Sequence, residues 1–195
     1  TSLQRLLPCV LLLTAAHSQL ALGQGKPATK AAPAASAREE FVLDTDHTSI
    51  AFEIPHLVIS SVEGRLKKFE GTFTLDEKAL KEKKSDALKV SAKIDVASID
   101  TGIEKRDEHL RSADFFDAKK FGTMTFESKS IVYKSGNKFQ LKGDLTIKDK
   151  TKPVVLDVDY KGSVSAYDKK RAAFKATTTF KRKDLNEDFP LRGFV

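Results

Sequence analysis

Apolar and polar residues alternate along most of the chain beyond residue 41. From Leu88 to Val96 every second residue is apolar, and the alternation largely recurs over 139–147, 154–162 and 172–180. A sustained period of two is typical of strands with one exposed face and one buried face. Antiparallel sheets show this pattern, whereas buried parallel strands are apolar throughout. The pattern therefore predicts an all-β, antiparallel fold.

Turn sequences separate the alternating segments. Residues such as Gly, Asn, Asp and Pro mark loops at 134–138, 148–153 and 165–171, as expected for connections between antiparallel strands. Further strands are predicted at about 49–56, 62–75 and 124–133.

The second of these earlier strands changes parity along its length. Val62 and Leu66 lie at even positions, whereas Phe69, Phe73 and Leu75 lie at odd positions. A slip of one residue is the effect of a β-bulge, and bulges help to curve a sheet into a barrel. The sequence therefore predicts an antiparallel barrel or sandwich.

One stretch, residues 98–117, departs from the strand pattern and reads SIDTGIEKRDEHLRSADFFD. It contains good helix formers, and Asp107 precedes Arg111 by four residues, a spacing that stabilises helices. We predict a short helix over about 103–113, near one end of the barrel.

The charged residues of this helix, His109 among them, are of types that enzymes use. Hydrolysis needs a base held by a third group beside a nucleophile or a metal. The chain has no nucleophile-elbow sequence and no HExxH motif, and its four histidines lack metal-ligand spacing. We therefore predict no catalytic residue, no metal and no cofactor. His47 and His56, which flank the first long strand, are expected to form hydrogen bonds at its two ends.

The first 23 residues differ in composition from the rest of the chain. Arg5 precedes an apolar run from Leu6 to Ala16, which is too short to cross a bilayer as a helix but fits a secretory signal peptide. The alternative is a disordered or membrane-anchoring N-terminus. Residues 24–40 are rich in Ala and Pro, which predicts a linker followed by one folded domain over 41–195.

The cysteine content and the net charge indicate how the domain is stabilised and which partners it could have. Cys9, the only cysteine, lies within the apolar run, so the domain is expected to depend on core packing rather than disulfides. The net charge of +7 is spread along the chain. It favours weak contact with an anionic membrane surface, the alternative being an ordinary solvated surface. No nucleic-acid-binding motif is present, so nucleic acid is not expected as a partner.

Three segments in order resemble the YceI-like, polyisoprenoid-binding family. They are DTDHTSIAFEIPHLVISSVEGRLKKFEGTFTLD, IDTGIEKRDEHLRSADFFDAKKF and GDLTIKDKTKPVVLDV. The resemblance covers about 44–185. It implies an eight-stranded antiparallel barrel, similar to that of lipocalins, enclosing an elongated apolar cavity for isoprenoid or other long-chain lipids. It also implies export to the periplasm. The family has no established enzymatic residues, so the resemblance implies none here.

The end of the chain departs from the family. Family members continue past the equivalent of RGFV into a last strand, so we expect the last strand to be truncated here. A missing strand would expose two sheet edges, which favour pairing between copies, such as a homodimer.

The resemblance implies that apolar side chains on the inner face line the lipid cavity, whereas alternation alone fits a solidly packed interior equally well. The expected lining residues are Phe52, Ile54, Phe73, Ile94, Phe126, Leu141, Leu145, Val158, Tyr160, Phe174 and Phe180. The expected function is an exported protein that sequesters or carries such a lipid. The alternatives are a hydrolase or isomerase acting on the lipid, with His109 as general base, and a stress-response protein with incidental lipid binding.

The polar end of such a lipid needs donors or water. Arg106, His109 and Arg111 near a barrel mouth could meet a phosphate headgroup, since arginine matches phosphate oxygens in a bidentate manner. The competing assignment is internal pairing, of Arg111 with Asp107 and of Arg106 with a nearby carboxylate.

Overall fold

A computed structural model of the chain describes residues 11–12, 38–56 and 59–180. These residues form strands and three short helical segments, α1 (Glu77–Lys81), a 3-10 turn (Val96–Ser98) and α2 (Glu104–Arg111). The strands are β1 Leu11–Leu12, β2 Glu39–Val42, β3 Ile50–His56, β4 Ser60–Leu66, β5 Phe69–Leu75, β6 Leu88–Asp95, β7 Ile99–Asp100, β8 Thr123–Tyr133, β9 Lys138–Ile147, β10 Lys150–Ala166 and β11 Lys169–Thr177.

The strands form one large sheet and one small sheet. The large sheet has eight strands in the order β1-β11-β10-β9-β8-β6-β5-β2, and the small sheet has the order β3-β4-β7. All pairings are antiparallel, and the large sheet curls into a nearly closed barrel. The predicted all-β, antiparallel barrel is therefore confirmed, with a second sheet that the sequence pattern did not indicate.

The predicted bulge within 62–75 is wrong. β4 ends at Leu66 and pairs with β3 and β7, whereas β5 begins at Phe69 and pairs with β2 and β6. Between them the backbone N–H groups of Lys67 and Lys68 donate to the carbonyl and hydroxyl oxygens of Ser98. The parity changes because the chain passes from the small sheet to the large one, which reverses the side chains that face the core.

Register shifts occur instead in two longer strands. β8 shifts against β9 between Ser128 and Ser130, and β10 shifts against β11 between Tyr160 and Gly162. Gly162 has a φ of 110°, a conformation that glycine adopts far more readily than other residues. These irregularities increase the local twist and bend the long strands around the barrel.

The interior contains two groups of buried side chains. One, the aromatic cluster, includes Phe41, Phe73, Phe139 and Phe174. The other, the helix-end cluster, includes Ile94, Ile99, Leu110, Phe115 and Ile147. The predicted buried face of β6 is confirmed, since Leu88, Val90, Ala92 and Ile94 are all buried.

The predicted helix over 103–113 is confirmed at slightly narrower bounds, Glu104–Arg111. Its buried Leu110 belongs to the helix-end cluster, so the helix lies across that end of the barrel. Helix α1 was not predicted, although Asp76 is a favoured N-cap residue and its side chain accepts a hydrogen bond from the N–H of Ala79 at 2.8 Å.

β2 begins at Glu39, within the last two residues of the segment predicted to be a linker. β1 lies within the predicted signal peptide and pairs with Ala176 and Lys175 of β11. Residues 1–10, 13–37 and 181–195 lie outside the described part of the chain. The signal peptide, the linker and the truncated last strand stay predictions.

Candidate functional site: the barrel interior

The predicted lining residues divide by burial. Ile94 belongs to the helix-end cluster, whereas the other buried members belong to the aromatic cluster. The buried residues are Phe73, Ile94, Phe126, Leu141, Val158 and Phe174. The partly buried residues are Phe52, Ile54, Leu145, Tyr160 and Phe180. Contact of any of them with a lipid stays a prediction.

Aromatic rings pack closely in the aromatic cluster. The rings of Phe41 and Phe73 stack with centroids 4.8 Å apart, and Phe174 meets Phe73 edge-on at 5.5 Å. Tyr160 lies against Phe174 at 4.9 Å, and burial raises the pKa of its hydroxyl. Rings in these geometries attract one another beyond the area they bury. This part of the interior is a packed core that supports the barrel.

Two phenylalanines lie against glycines of neighbouring strands, one pair in the small sheet and one in the large sheet. A Cβ atom at Gly64 would lie 2.3 Å from the ring of Phe52 on the paired strand, and one at Gly143 would lie 2.6 Å from the ring of Phe126. Each ring therefore covers a glycine of the neighbouring strand. Large and small residues interlock at both places.

Partly buried apolar side chains form a strip inside the barrel. Phe52, Phe69, Leu145 and Phe180, here called the interior strip, all pack against the helix-end cluster. Phe69 and Leu145 also pack against the aromatic cluster, so they lie between the two. Each keeps accessible surface, and an apolar ligand in contact with the strip would remove that surface from water. Phe69 was not among the predicted lining residues, although it shares the parity of the buried Phe73.

Helix α2 is fixed by a network centred on Thr101. The buried carboxylate of Asp107 accepts hydrogen bonds from the Thr101 N–H at 2.9 Å and from its hydroxyl. The guanidinium of Arg106 donates to the hydroxyl oxygen of Thr101 at 2.7 Å and to its carbonyl at 2.8 Å. Arg106 and Asp107 therefore attach the helix to the segment that precedes it, and Arg106 does so without the predicted carboxylate partner.

Arg111 connects the other end of the helix to the barrel. Its guanidinium donates to the carbonyl of Ala97 at 3.0 Å and to that of Ile99 at 2.9 Å, and it pairs with Glu104 at 3.1 Å. The partner expected from sequence, Asp107, is instead engaged with Thr101, so that pairing is corrected. The structure brings both arginines into internal hydrogen bonds, and their contact with a headgroup stays a prediction.

His109 and His47 each lie next to one carboxylate group. Nε2 of His109 lies 3.6 Å from a carboxylate oxygen of Asp114, and its ring meets Phe115 edge-on at 4.8 Å. Nδ1 of His47 shares a hydrogen bond with Asp44 at 2.9 Å in the turn before β3, and its role in fixing the strand stays a prediction. The side chain of His56 lies outside the described residues. Within 38–56 and 59–180, no three His, Cys, Asp or Glu side chains are grouped to hold a metal ion.

Ion pairs join β11 to β2 and α1, next to the aromatic cluster. Nζ of Lys170 lies 2.8 Å from both Glu39 and Glu77, and Arg171 pairs with Asp44 at 3.1 Å. The hydrogen bond from Lys170 lowers the pKa of Glu77 most. Burial alone would lower the pKa of Lys170, but its bonds to Glu39 and Glu77 outweigh burial and raise it. Side-chain contacts thus connect the two edge regions of the large sheet.

No helix of the described segments is both long and apolar enough to span a bilayer. The fold and interior of the described residues define an antiparallel β-barrel with an apolar interior and a helix, α2, fixed across its end. Residues 41–193 match the YceI-like domain, and the chain belongs to this family.

Known proteins resemble the chain over most of their length. A UPF0312 protein of Vibrio cholerae is 37% identical over 164 residues, which are 83% of this chain and 84% of that protein. The crystal structure of a Campylobacter jejuni YCEI protein is similar with a TM-score of 0.59 and 34% identity, covering 73% of this chain and 81% of that one. Burkholderia cenocepacia BcnA, at 23% identity, 69% and 98% coverage and a TM-score of 0.55, shares the fold.

Proposed function

We propose that this protein binds a polyisoprenoid or other long-chain lipid inside the barrel and holds it out of water without chemical turnover. The observation that carries the proposal is the interior strip. Its side chains are apolar and pack against the buried helix-end cluster, yet they keep accessible surface, and two of them, Phe69 and Leu145, also contact the aromatic cluster. Membership of the YceI-like family, whose fold is known for binding polyisoprenoids, supports the same conclusion.

The energetics of burial favour long ligands. Each methylene removed from water contributes about 0.8 kcal/mol, so ten carbons contribute roughly 8 kcal/mol. Association costs about 4–15 kcal/mol, so a short chain binds weakly or not at all. A polyisoprenoid tail of several times that length exceeds the cost. Ligand length is therefore the main determinant of affinity, and shape is secondary.

The charged residues of α2 support binding rather than turnover. Arg106, Asp107 and Arg111 hold the helix to the chain segment 97–101, which is a structural task. His109 contacts an exposed carboxylate and a phenylalanine ring rather than an oriented nucleophile. An enzyme acting on the lipid would need a reactive group beside His109.

Location is part of the proposal and rests on sequence. The apolar run after Arg5 fits a signal peptide, which would bring the domain to the periplasm. The excess of positive charge favours weak contact with anionic lipid headgroups, from which a lipid ligand could be collected.

A chain-length series tests lipid binding. Prenyl alcohols from geraniol upward are titrated into the full chain and into Leu145→Trp, which fills the centre of the interior strip. The matched control is Val132→Trp, at an exposed site on β8. We expect affinity to rise with chain length and Leu145→Trp to weaken binding about tenfold or more, a loss of about 1.4 kcal/mol.

Two results of this series would contradict the proposal. One is the failure of every chain length to bind the unmodified protein. The other is an equal effect of the two tryptophan substitutions, since the outer face of β8 does not contribute to the interior strip.

A further inference from the structure

Strands β10 and β11 separate at one end of their pairing. β10 pairs with β9 over residues 150–159, but β11 joins it only from Asp157 onward. Beyond Thr177 the chain turns away from β10, and the hydroxyl of Thr178 donates to the carbonyl of Val155 at 2.8 Å. A side-chain hydrogen bond therefore replaces the backbone ladder where the two strands diverge.

The divergence opens a pocket of about 400 Å³ in the barrel wall, here called the β10–β11 cleft. This volume is within the range of small-ligand sites, near its lower end. The cleft is lined by Lys152, Pro153, Val154, Val155, Thr178, Thr179 and Phe180.

Two of the residues that line the cleft also contact the buried clusters of the interior. Phe180 lines the cleft and packs against the helix-end cluster as part of the interior strip. Val154 lines the cleft and belongs to the aromatic cluster. A hydrocarbon chain in contact with the interior strip would therefore have an apolar path to the surface past Phe180.

The residues that line the cleft include one lysine and two threonines but no acidic residue. Lys152 is exposed, and no ion pair holds its ammonium group among the residues described. Lys150 and Lys161 of the same strand lie next to Asp149 and Asp159 respectively. The hydroxyl of Thr179 adds a hydrogen-bonding group. These groups suit an anion.

The strand edge in the cleft is poorly suited to an added peptide strand. The carbonyl of Val155 faces the cleft, and backbone groups two residues apart in a strand face the same side. Pro153 therefore also faces the cleft with its backbone nitrogen, which has no N–H to donate. The cleft lacks a donor that strand pairing would use, which favours a small amphiphilic ligand over a peptide.

We propose that the β10–β11 cleft is the polar mouth of the lipid site, and that it binds a phosphate or carboxylate headgroup through Lys152. This inference rests on the proposed function and adds the class of headgroup and its location. The ammonium of Lys152 meets the anion, the hydroxyl of Thr179 donates to it, and the tail passes Phe180 into the interior. Arg106 and Arg111 are engaged with backbone carbonyls, which leaves the cleft as the better headgroup site.

The test compares three ligands by calorimetry on the full chain: farnesyl phosphate, farnesol and inorganic phosphate. Lys152→Met removes the cation and keeps an apolar stem, and Lys150→Met is the control because Lys150 lies on the same strand outside the cleft. We expect Lys152→Met to weaken the binding of farnesyl phosphate about fivefold, as for the loss of one partly exposed charge contact. The same substitution should leave the binding of farnesol unchanged. Lys150→Met should change the affinity for neither ligand. Added salt should reduce the difference in affinity between farnesyl phosphate and farnesol.

The outcomes separate this inference from the proposed function. If farnesol binds but Lys150→Met and Lys152→Met weaken farnesyl phosphate equally, the cleft is not the headgroup site, although lipid binding stands. If inorganic phosphate binds as tightly as farnesyl phosphate, the cleft binds free phosphate and the inference fails. If neither farnesol nor farnesyl phosphate binds the unmodified protein, the proposed function itself fails.

Discussion

Glycine and phenylalanine are paired across neighbouring strands at two places, one in the small sheet and one in the large sheet. Phe52 covers Gly64, and Phe126 covers Gly143, in each case so closely that a Cβ atom could not be added without displacing the ring. At the residue scale, each glycine therefore determines where its phenylalanine ring can lie.

Gly64→Ala tests this relation. The added methyl would lie 2.3 Å from the ring of Phe52, so the ring must move into the interior. We expect a loss of about 1–3 kcal/mol in the free energy of unfolding, as for other overpacked sites, and weaker lipid binding. The measurements are urea denaturation and titration with a prenyl alcohol.

Gly122→Ala is the matched control for this substitution. A Cβ at Gly122 would meet its nearest neighbour, the carbonyl oxygen of Ala118, at 3.5 Å, which is ordinary contact. The control should leave unfolding and lipid binding nearly unchanged. Equal stability and affinity of the two variants would show that Phe52 does not need the space over Gly64.

Sequence periodicity predicted most elements, because alternation reports directly on which face of a strand is buried. β6 and the helix over 104–111 were found close to where the pattern placed them. The parity change before Phe69 was visible but ambiguous, since a bulge and a change of sheet both reverse the buried face. Pairing partners are distant in sequence, and only they distinguish the two cases.

The ion pairs between β11, β2 and α1 couple elements far apart in sequence. Glu77 has a pKa below its ordinary 4.5, chiefly because Lys170 donates to it, so its contribution to stability is present above pH 4.5 and is lost as pH falls through the lowered pKa. Lys170 has a pKa above 10.5, because its bonds to Glu39 and Glu77 outweigh its burial. Its contribution is present below pH 10.5 and is lost as pH rises through the raised pKa.

Lys170→Met should reduce this pH dependence. We expect the variant to be less stable than the unmodified protein at neutral pH, and the difference to shrink below pH 4.5 as Glu77 is protonated. The measurement is the free energy of unfolding in urea across pH, with Lys169→Met, an exposed neighbour on β11, as control. A constant difference between the Lys170→Met and unmodified proteins through the acid range would show that the Lys170–Glu77 pair does not contribute.

At the scale of the whole molecule, the barrel combines a packed part and a part with accessible apolar surface. The aromatic cluster, with Phe41, Phe73 and Phe174 in ring contact, supports the wall. The interior strip and the β10–β11 cleft share Phe180, and the cleft also contains Lys152. In our proposal, the aromatic cluster supports stability and the interior strip with the cleft binds the lipid.

The sequence could not distinguish these two parts. Phe52 and Phe73 are the same residue type on inward positions of alternating strands, but one is partly accessible and the other buried. The difference comes from the neighbours that the curled sheet brings to each ring. For the same reason the cleft escaped prediction: Lys152 and Thr179 are far apart in sequence and meet only where β10 and β11 diverge.

Nuclear Overhauser contacts between a bound prenyl alcohol and methyl-labelled protein test most directly whether the hydrocarbon tail occupies the interior. We expect contacts from the lipid chain to the methyl groups of Leu145, at the centre of the interior strip, and none to Val132 on the outer face of β8. Contacts to Val132 without any to Leu145 would place the lipid on the outside of the barrel and contradict the account.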